Sequence, residues 1–263
     1  MHLMVIRRVV SKWAKTNALL ADPDLKKFVP VTLPFHEHTV RQMLNRMKMV
    51  YVKPVNGTFG KGVIRVEQAD GAEYPYGFQS GERQYHYRTF EAMFRKLLDV
   101  KRKRPYLVQQ GIELLKYRGR RFDIRLMVQK SPKRSWVSTG LIGRLAHPRK
   151  IVTNYHSGGT PMPVEKLLGP HMDPQLSASY RADLLKFGTA VAGVIEAKFP
   201  GVKELGIDIA VDSAGKPWIL EVNTSPDPFL FRKLPDRSIF RRIYRYAVHY
   251  GRFRRRRYKR SKR

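Results

Sequence analysis

Two short apolar segments near the carboxyl-terminal end of the chain each carry an acidic residue in their interior. They are residues 204–212 (ELGIDIAVD) and 219–226 (ILEVNTSP), and a Ser-Ala-Gly-Lys turn joins them. This pattern predicts an antiparallel hairpin, in which Glu221 and Asn223 share a face that Asp208 reaches from the neighbouring strand. Two carboxylates and an amide oxygen suit Mg²⁺ holding the phosphates of a nucleotide. The alternative is that both carboxylates are strand-edge charges that face solvent.

A glycine-rich loop lies between two predicted strands at residues 49–55 and 63–66. Glycines let the backbone approach a phosphate and direct N–H groups at it, and Lys53 on the entering strand can pair with phosphate oxygens. No helix follows the loop, which excludes a Walker or a Rossmann phosphate site. An ordinary mobile hairpin loop is the alternative. The candidate phosphate-binding positions in this loop are Gly57, Thr58, Gly60 and Gly62.

Further candidate residues lie on the predicted central strands. Residues 109–112 (QQGI) could form a hinge whose backbone meets an adenine edge, with Ile112 giving apolar contact. Asp123 and Arg125 fall on one face of a strand, and Arg144 has a similar place on the next strand. A strand arginine that faces a cleft can bind a phosphate or a carboxylate in bidentate fashion. An Asp–Arg pair that merely satisfies itself is the alternative.

The charge balance is strongly basic, with 52 Lys and Arg against 21 Asp and Glu, a formal net charge of +31. Such a field attracts polyanions, including nucleic acid, acidic polymers and nucleotides. Residues 232–263 hold 15 basic residues and one acidic residue, which predicts a docked terminal helix followed by a basic tail. The absence of cysteine excludes disulfides, thiolate metal sites and a cysteine nucleophile. We expect a cytoplasmic protein with no secretory signal and no transmembrane segment.

Taken together, these motifs resemble the ATP-grasp superfamily, and within it the endospore coat-associated YheC/YheD-like family. A more distant similarity is to the ligases that add glutamate to a ribosomal protein, and to the tubulin–tyrosine ligases. The motifs follow the order of the family and cover about residues 10–228. They are Lys12-Trp13, Tyr51–Pro54, Asn56–Gly62, Gln109–Ile112, Phe122–Arg125, Thr153–Gly159, Gly206–Asp208 and Leu220–Asn223.

This resemblance implies an α+β ATP-grasp fold, in which two lobes with antiparallel sheets clasp ATP. It implies a flap at residues 57–62 over the phosphates. It also implies that Lys12 and Lys53 contact either the phosphates or the purine. It also implies three further sets of site residues. The first set lines an adenine slot and consists of Gln109, Gln110 and Ile112. The second set holds Mg²⁺, or Mn²⁺ in its place, and consists of Asp208, Glu221 and Asn223. The third set faces the γ-phosphate and the acceptor and consists of Arg125, Arg144 and Asn154.

Helical spacing of apolar residues predicts helices near 11–28, 38–48, 90–98 and 180–199. We expect an amino-terminal lobe with the flap at 1–110, a carboxyl-terminal lobe with the metal site at 111–228, and a basic helix and tail at 229–263. Almost nothing precedes the core, whereas the related glutamate ligases carry a domain there. We therefore expect acceptor recognition by such a domain to be absent or supplied by a partner.

The expected activity is an ATP- and Mg²⁺-dependent ligase that joins a carboxylate to an amine or a thiol through an acylphosphate. Its acceptor is unidentified, with peptides and envelope polymers as candidates, and its place of action is the cytoplasm, the forespore or the spore coat. Two alternatives stay open at this point. One is a coat-associated assembly protein that binds ATP without turnover, and the other is a basic protein whose tail binds an anionic polymer or nucleic acid.

Overall fold

The computed structural model describes residues 6–57 and 60–253. Thr58 of the predicted flap and the tail beyond residue 253 lie outside the described residues. The described chain builds an α+β fold with two six-stranded sheets, in which all strand pairs are antiparallel. The helices are α1 (Lys12–Leu20), α2 (Glu37–Met47), α3 (Phe90–Val100), α4 (Val164–Leu168), α5 (Pro174–Lys198) and α6 (Arg237–His249).

The first sheet is formed between residues 32 and 110. Its strands are β1 (Thr32–Pro34), β2 (Met49–Pro54), β3 (Ile64–Gln68), β4 (Tyr76–Ser80), β5 (Arg83–Tyr87) and β6 (Tyr106–Gln110), in the spatial order β1-β6-β2-β3-β4-β5. Helices α2 and α3 contact this sheet and contribute to one core with it. Phe90, Met93, Phe94 and Leu97 are buried on one side of α3, as their helical spacing predicts. Thr89 caps this helix by accepting a hydrogen bond from the Ala92 amide.

The second sheet is formed between residues 116 and 223. Its strands are β7 (Lys116–Tyr117), β8 (Arg120–Lys130), β9 (Trp136–Leu145), β10 (Thr160–Met162), β11 (Glu204–Val211) and β12 (Pro217–Asn223). The spatial order is β10-β9-β8-β11-β12, and β7 pairs with β8. Strands β11 and β12 are the predicted hairpin, and its turn is held by the Asp212 carboxylate, which accepts hydrogen bonds from the Ala214 and Lys216 amides. Because β8 and β11 pair, Arg125 lies opposite Asp208.

Helix α1 packs on the second sheet, although the predicted division at residue 110 assigns it to the first lobe. Ala18, Leu19, Leu25 and Val29 belong to the core of the second sheet, and α1 contacts α5 and β12. The single helix predicted at 11–28 is wrong, because α1 ends at Leu20. The Asp22 carboxylate accepts hydrogen bonds from the amides of residues 24 and 25, and a separate 3₁₀ turn follows at Lys26–Phe28.

The carboxyl-terminal segment docks on the second sheet, as predicted. Leu230, Phe231, Leu234 and Ile243 form a small core with two residues of β8 and β9. Both ends of the described chain also meet at the fully buried Glu204, whose carboxylate accepts hydrogen bonds from Arg8, Tyr250 and Arg252. None of the described helices combines the length and the apolar character that crossing a membrane requires.

Candidate functional site

A cleft lies between the two sheets. Both sheets contribute side chains to it, and so do α1 and the two loops at residues 55–63 and 151–154. Of the residues predicted to bind a nucleotide or its metal, the cleft brings together Lys12, Lys53, Gly57, Gly60, Gln109, Gln110, Ile112, Asp208 and Glu221.

Lys53 projects from β2 into the cleft, where its ammonium group donates a hydrogen bond to the side-chain oxygen of Gln109. The amide nitrogen of Gln109 donates in turn to the Thr32 hydroxyl at 3.1 Å. Burial lowers the pKa of Lys53 to about 8, while the negative charge of Glu221 raises it and the positive charge of Lys12 lowers it further. Lys53 is thus a weakly solvated cation whose charge an anion in the cleft would stabilise.

Lys12, at the start of α1, connects the flap to the second sheet. Its ammonium group donates to the backbone oxygen of Gly57 at 2.8 Å and to the Glu221 carboxylate at 2.9 Å. Lys15 lies nearby, buried, and donates to the backbone oxygen of Val9 at 2.8 Å. Burial lowers the pKa of Lys15 to about 8, with Glu221 opposing and Lys12 reinforcing the shift. Lys15 was not among the predicted site residues, although it follows Lys12 by three positions and so shares its side of the helix.

A buried ion-pair network forms the floor of the cleft. Arg125 binds Asp208 with two nitrogens of its guanidinium group, and Arg144 binds Asp123 in the same way while reaching Asp208 at 3.0 Å. The hydroxyl of Thr153 donates to Asp123 at 2.7 Å. The sequence suggested an Asp123–Arg125 pair as an alternative, and that pairing is wrong. Strand register explains the difference, because Asp123 lies opposite Arg144 and Arg125 lies opposite Asp208.

The network fixes the charge state of Asp208 and of Arg144. Burial alone would raise the pKa of Asp208, but the charges of Arg125 and Arg144 outweigh it and lower this pKa to about 2. For Arg144, burial acts to lower the pKa, and the carboxylates of Asp123 and Asp208 raise it above the ordinary arginine value. Asp208 therefore stays a carboxylate at every pH at which the protein would be assayed.

The predicted metal ligands share one face of the hairpin formed by β11 and β12. Asp208 lies directly opposite Glu221, and Asn223 follows two residues later on the same strand, opposite Gly206. Their donor atoms are deprotonated or neutral oxygens, which fit a hard divalent cation. Both carboxylates have cationic partners, and the described residues contain no cluster of three or more acidic or histidine side chains placed to hold a metal. The donor set fits Mg²⁺ chemically, and its role remains a prediction.

The flap approaches the second sheet at Gly60. Its backbone has φ +70°, and a Cβ at this position would lie 2.8 Å from the side-chain oxygen of Asn154 and 3.2 Å from Val152. Glycine is therefore required both by the backbone conformation and by the close contact with the 151–154 loop. This contact brings Gly60 to the 151–154 loop, and both line the cleft.

The hinge at residues 109–112 uses most of its backbone donors inside the fold. The amide of Gln110 donates to the Val31 oxygen at 2.8 Å, and the amide of Gly111 donates to the Met49 oxygen at 2.9 Å. These two amides are therefore not the adenine donors that the sequence suggested. Ile112 is buried and lines the cleft, and within the described part of the chain its amide donates to no other group. Of the predicted hinge amides, that of Ile112 is therefore the one that still fits the prediction of a donor to a purine edge.

A second pocket adjoins the cleft on the far side of the ion-pair network. Arg144, Asn154 and Glu221 line both spaces, whereas Arg125 and Asn223 line only the second pocket. The predicted phosphate- and acceptor-facing residues Arg125, Arg144 and Asn154 thus meet in this pocket, and two of them also face the cleft. The carboxyl-terminal segment supplies one wall of this pocket. No sequence motif in that segment had indicated a binding site.

The sequence of this chain matches the profile of one protein family. The profile of the family described as YheC/D like ATP-grasp matches residues 3–253. The endospore coat-associated protein YheD of Bacillus subtilis (strain 168) is 24% identical over 225 residues, which are 84% of this chain and 49% of YheD. The endospore coat-associated protein YheC of the same organism is 21% identical over 225 residues, which are 84% of this chain and 61% of YheC. This chain therefore spans less than two thirds of the length of either relative.

Among solved structures, the ATP-grasp ligase PsnB in complex with the precursor peptide PsnA2 and AMPPNP is similar, with a TM-score of 0.49 and 13% identity. The match covers 92% of this chain and 58% of PsnB. A likeness of this degree does not bear on what the chain does. The family match extends over nearly the whole chain and includes both sheets, the residues of the predicted flap and the hairpin of β11 and β12. The chain belongs to the YheC/D-like ATP-grasp family.

Proposed function

We propose that the protein is an ATP-dependent ligase that joins a carboxylate to an amine or a thiol. One observation carries the proposal. A single cleft is lined by Lys12, Lys53 and two glycines of the predicted flap, together with Asp208 and Glu221 of the β11–β12 hairpin. Lys12 binds Glu221, and two buried arginines bind Asp208. This arrangement supplies charge neutralisation and positioning, the two demands of phosphoryl transfer, without a protein nucleophile.

In the proposed reaction, a carboxylate oxygen of the substrate attacks the γ-phosphorus of ATP, and ADP leaves with the electrons of the broken P–O bond. The resulting acylphosphate is then attacked at its acyl carbon by the amine or thiol, which releases inorganic phosphate and a proton. Lys12 and Lys53 would bind phosphate oxygens, and Ile112 would contact the purine. Mg²⁺ bound by Asp208, Glu221 and Asn223 would supply neutralisation of phosphate charge. The flap would keep water from the acylphosphate.

A second function is favoured by the names of the relatives. YheD and YheC are both named for association with the endospore coat, and neither name states a reaction. A coat-associated assembly protein that binds ATP without turnover would use the same cleft. The names also support a place of action in or near the spore coat. An acidic coat or envelope polymer, or nucleic acid, would be a suitable partner for the basic surface.

The two functions separate in an ADP-release assay. The purified chain is given ATP and Mg²⁺ with pools of amino acids, peptides and cell-wall precursors. A ligase releases ADP faster when its acceptor is present, and omission of Mg²⁺ stops the release. An assembly protein is stabilised against thermal unfolding by ATP but releases no ADP above background with any pool.

Glu221→Gln tests the site itself. The variant keeps the shape of the side chain but removes a charge that contacts Lys12. We expect ADP release to fall at least about 100-fold, a loss typical of an electrostatic group in the transition state, with the fold intact by circular dichroism. Glu165→Gln is the matched control, because Glu165 forms an ion pair with Arg181 away from the cleft. Wild-type turnover by Glu221→Gln would remove Glu221 from the mechanism.

A further inference from the structure

The second pocket has a cavity volume of about 320 Å³ and is built from five separate parts of the chain. Strands β8 and β9 supply Arg125 and Arg144, and the end of β12 supplies Asn223. The 154–156 loop and the carboxyl-terminal segment form the remaining walls. The space is large enough for an organic substrate and shares its polar side with the proposed nucleotide cleft.

The two arginines divide their hydrogen-bonding groups between the two spaces. Asp123 and Asp208, which they bind through Nε and Nη2, line the cleft. The Nη1 group of each arginine makes no hydrogen bond to any described residue, and both arginines line the second pocket. As whole residues, Arg125 is 7% exposed and Arg144 is 3% exposed. Neither Nη1 atom is among the fully buried side-chain atoms that lack a partner, so each keeps some accessible surface from which it can donate a hydrogen bond to a ligand oxygen.

The opposite side of the pocket is aromatic. Tyr74, Tyr155 and Phe229 are the exposed aromatic side chains of the described chain, at 46%, 39% and 43%, and two of these three line this one pocket. Phe229 is held by ring contacts with Phe240 and Phe253 at 5.9 and 5.6 Å, so its exposed surface is positioned rather than free. An apolar surface of this kind inside a concave site is typical of a binding wall for a ring.

The acidic residues of the pocket already have partners. Glu221 accepts from Lys12, and the Asp227 carboxylate accepts from the Phe229 amide at 2.8 Å. A third arginine, Arg252, lines the pocket and binds Glu204. The ammonium nitrogen of Lys233 lies 5.7 Å from the centre of the Tyr155 ring. The pocket lining thus holds three arginines against the two carboxylates, an excess of positive charge that favours an anionic group in the ligand.

We propose that the second pocket binds the acid substrate of the ligase, and that this substrate is a carboxylic acid with an aromatic or large apolar group. Its carboxylate meets the Nη1 groups of Arg125 and Arg144, next to the space proposed for the γ-phosphate. Its ring lies against Phe229 and Tyr155, which determine specificity. The inference rests on the proposed function, because it identifies the acid on which the ligase acts.

Calorimetric titration with three small probes tests the proposal, with AMPPNP and Mg²⁺ present. N-acetylphenylalanine carries both a carboxylate and a ring, its amide lacks the charge, and N-acetylglycine lacks the ring. We expect N-acetylphenylalanine to bind at least about tenfold more tightly than its amide, as for a charge-assisted hydrogen bond pair. In Phe229→Ala we expect its affinity to fall roughly threefold to tenfold, the range for an aromatic contact, while that of N-acetylglycine is unchanged.

Tyr74→Ala is the matched control, since it removes an equally exposed aromatic ring outside the pocket and should change no affinity. Tyr155→Ala repeats the test if Phe229→Ala does not fold. The proposal is overturned if the amide binds as well as the acid, or if Phe229→Ala weakens both acids equally. It is also overturned if Tyr74→Ala reproduces the loss. Binding of AMPPNP is titrated separately, so that its failure refutes the nucleotide site, whereas AMPPNP binding without acid binding refutes this inference alone.

Discussion

The pH dependence of folding provides a test of the environment of Lys53. Burial lowers the pKa of this lysine from 10.5 to about 8 in the folded protein, and in the unfolded chain it returns to its ordinary value. Between these two values the unfolded chain holds a proton that the folded protein has released. Stability must therefore rise with pH across this window, because it rises wherever the unfolded state binds more protons. Lys53→Met removes this contribution, since methionine does not titrate.

The magnitude follows from the two pKa values. Integration of the linkage relation from pH 7 to pH 10 gives a gain of about 2.5 kcal/mol in the free energy of unfolding of the wild type relative to Lys53→Met. With an unfolding slope near 2.5 kcal/mol per molar urea, the difference between the two midpoints changes by about 1 M. Lys15 and all other titrating groups are common to both proteins, so their contributions largely cancel in this difference.

The assay is urea unfolding of both proteins, followed by circular dichroism, at half-unit steps between pH 7 and pH 10. Lys198→Met, at an exposed lysine in the last turn of α5, is the control and should run parallel to the wild type. The reasoning is refuted if the curves of the wild type and Lys53→Met are parallel over the whole range, because Lys53 would then titrate alike in the folded and unfolded states.

Two further predictions concern packing and the buried carboxylate. A Cβ at Gly188 of α5 would lie 2.3 Å from Leu126 and 2.9 Å from Ser138, whereas one at Gly193 of the same helix meets nothing within 4 Å. Gly188→Ala should therefore cost about 1–3 kcal/mol and Gly193→Ala should add about 0.5–1 kcal/mol, as measured by urea unfolding; equal effects would contradict this packing. Glu204→Gln should cost about 2 kcal/mol, because buried Glu204 neutralises Arg8 and Arg252. A double-mutant cycle with Arg8→Ala should show coupling, and strict additivity would exclude the pair.

Local features of the site were predictable because they depend on short stretches of sequence. The hairpin of β11 and β12 follows from two apolar runs around a turn, and the shared face of Glu221 and Asn223 follows from the two-residue period of a strand. The buried face of α3 follows from helical spacing in the same way. The order of the motifs was sufficient to indicate the family.

Three features of the site required the tertiary structure. The partners of Asp123 and Asp208 depend on the register between strands that are distant in sequence. The low pKa of Lys53 depends on burial by both sheets. The second pocket needs Phe229 beside Arg125, which are more than 100 positions apart in the chain. No local pattern encodes these neighbours.

The sequence by itself determined the β11–β12 hairpin, the buried face of α3, the glycine-rich loop between two strands and many of the residues that reach the cleft. It could do so because periodicity and turn chemistry act over a few residues. Only the tertiary structure decided which charges neutralise each other and which are left to bind a ligand. The physical reason is that burial and electrostatic pairing depend on separation in space, which strand register and sheet packing set independently of separation along the chain.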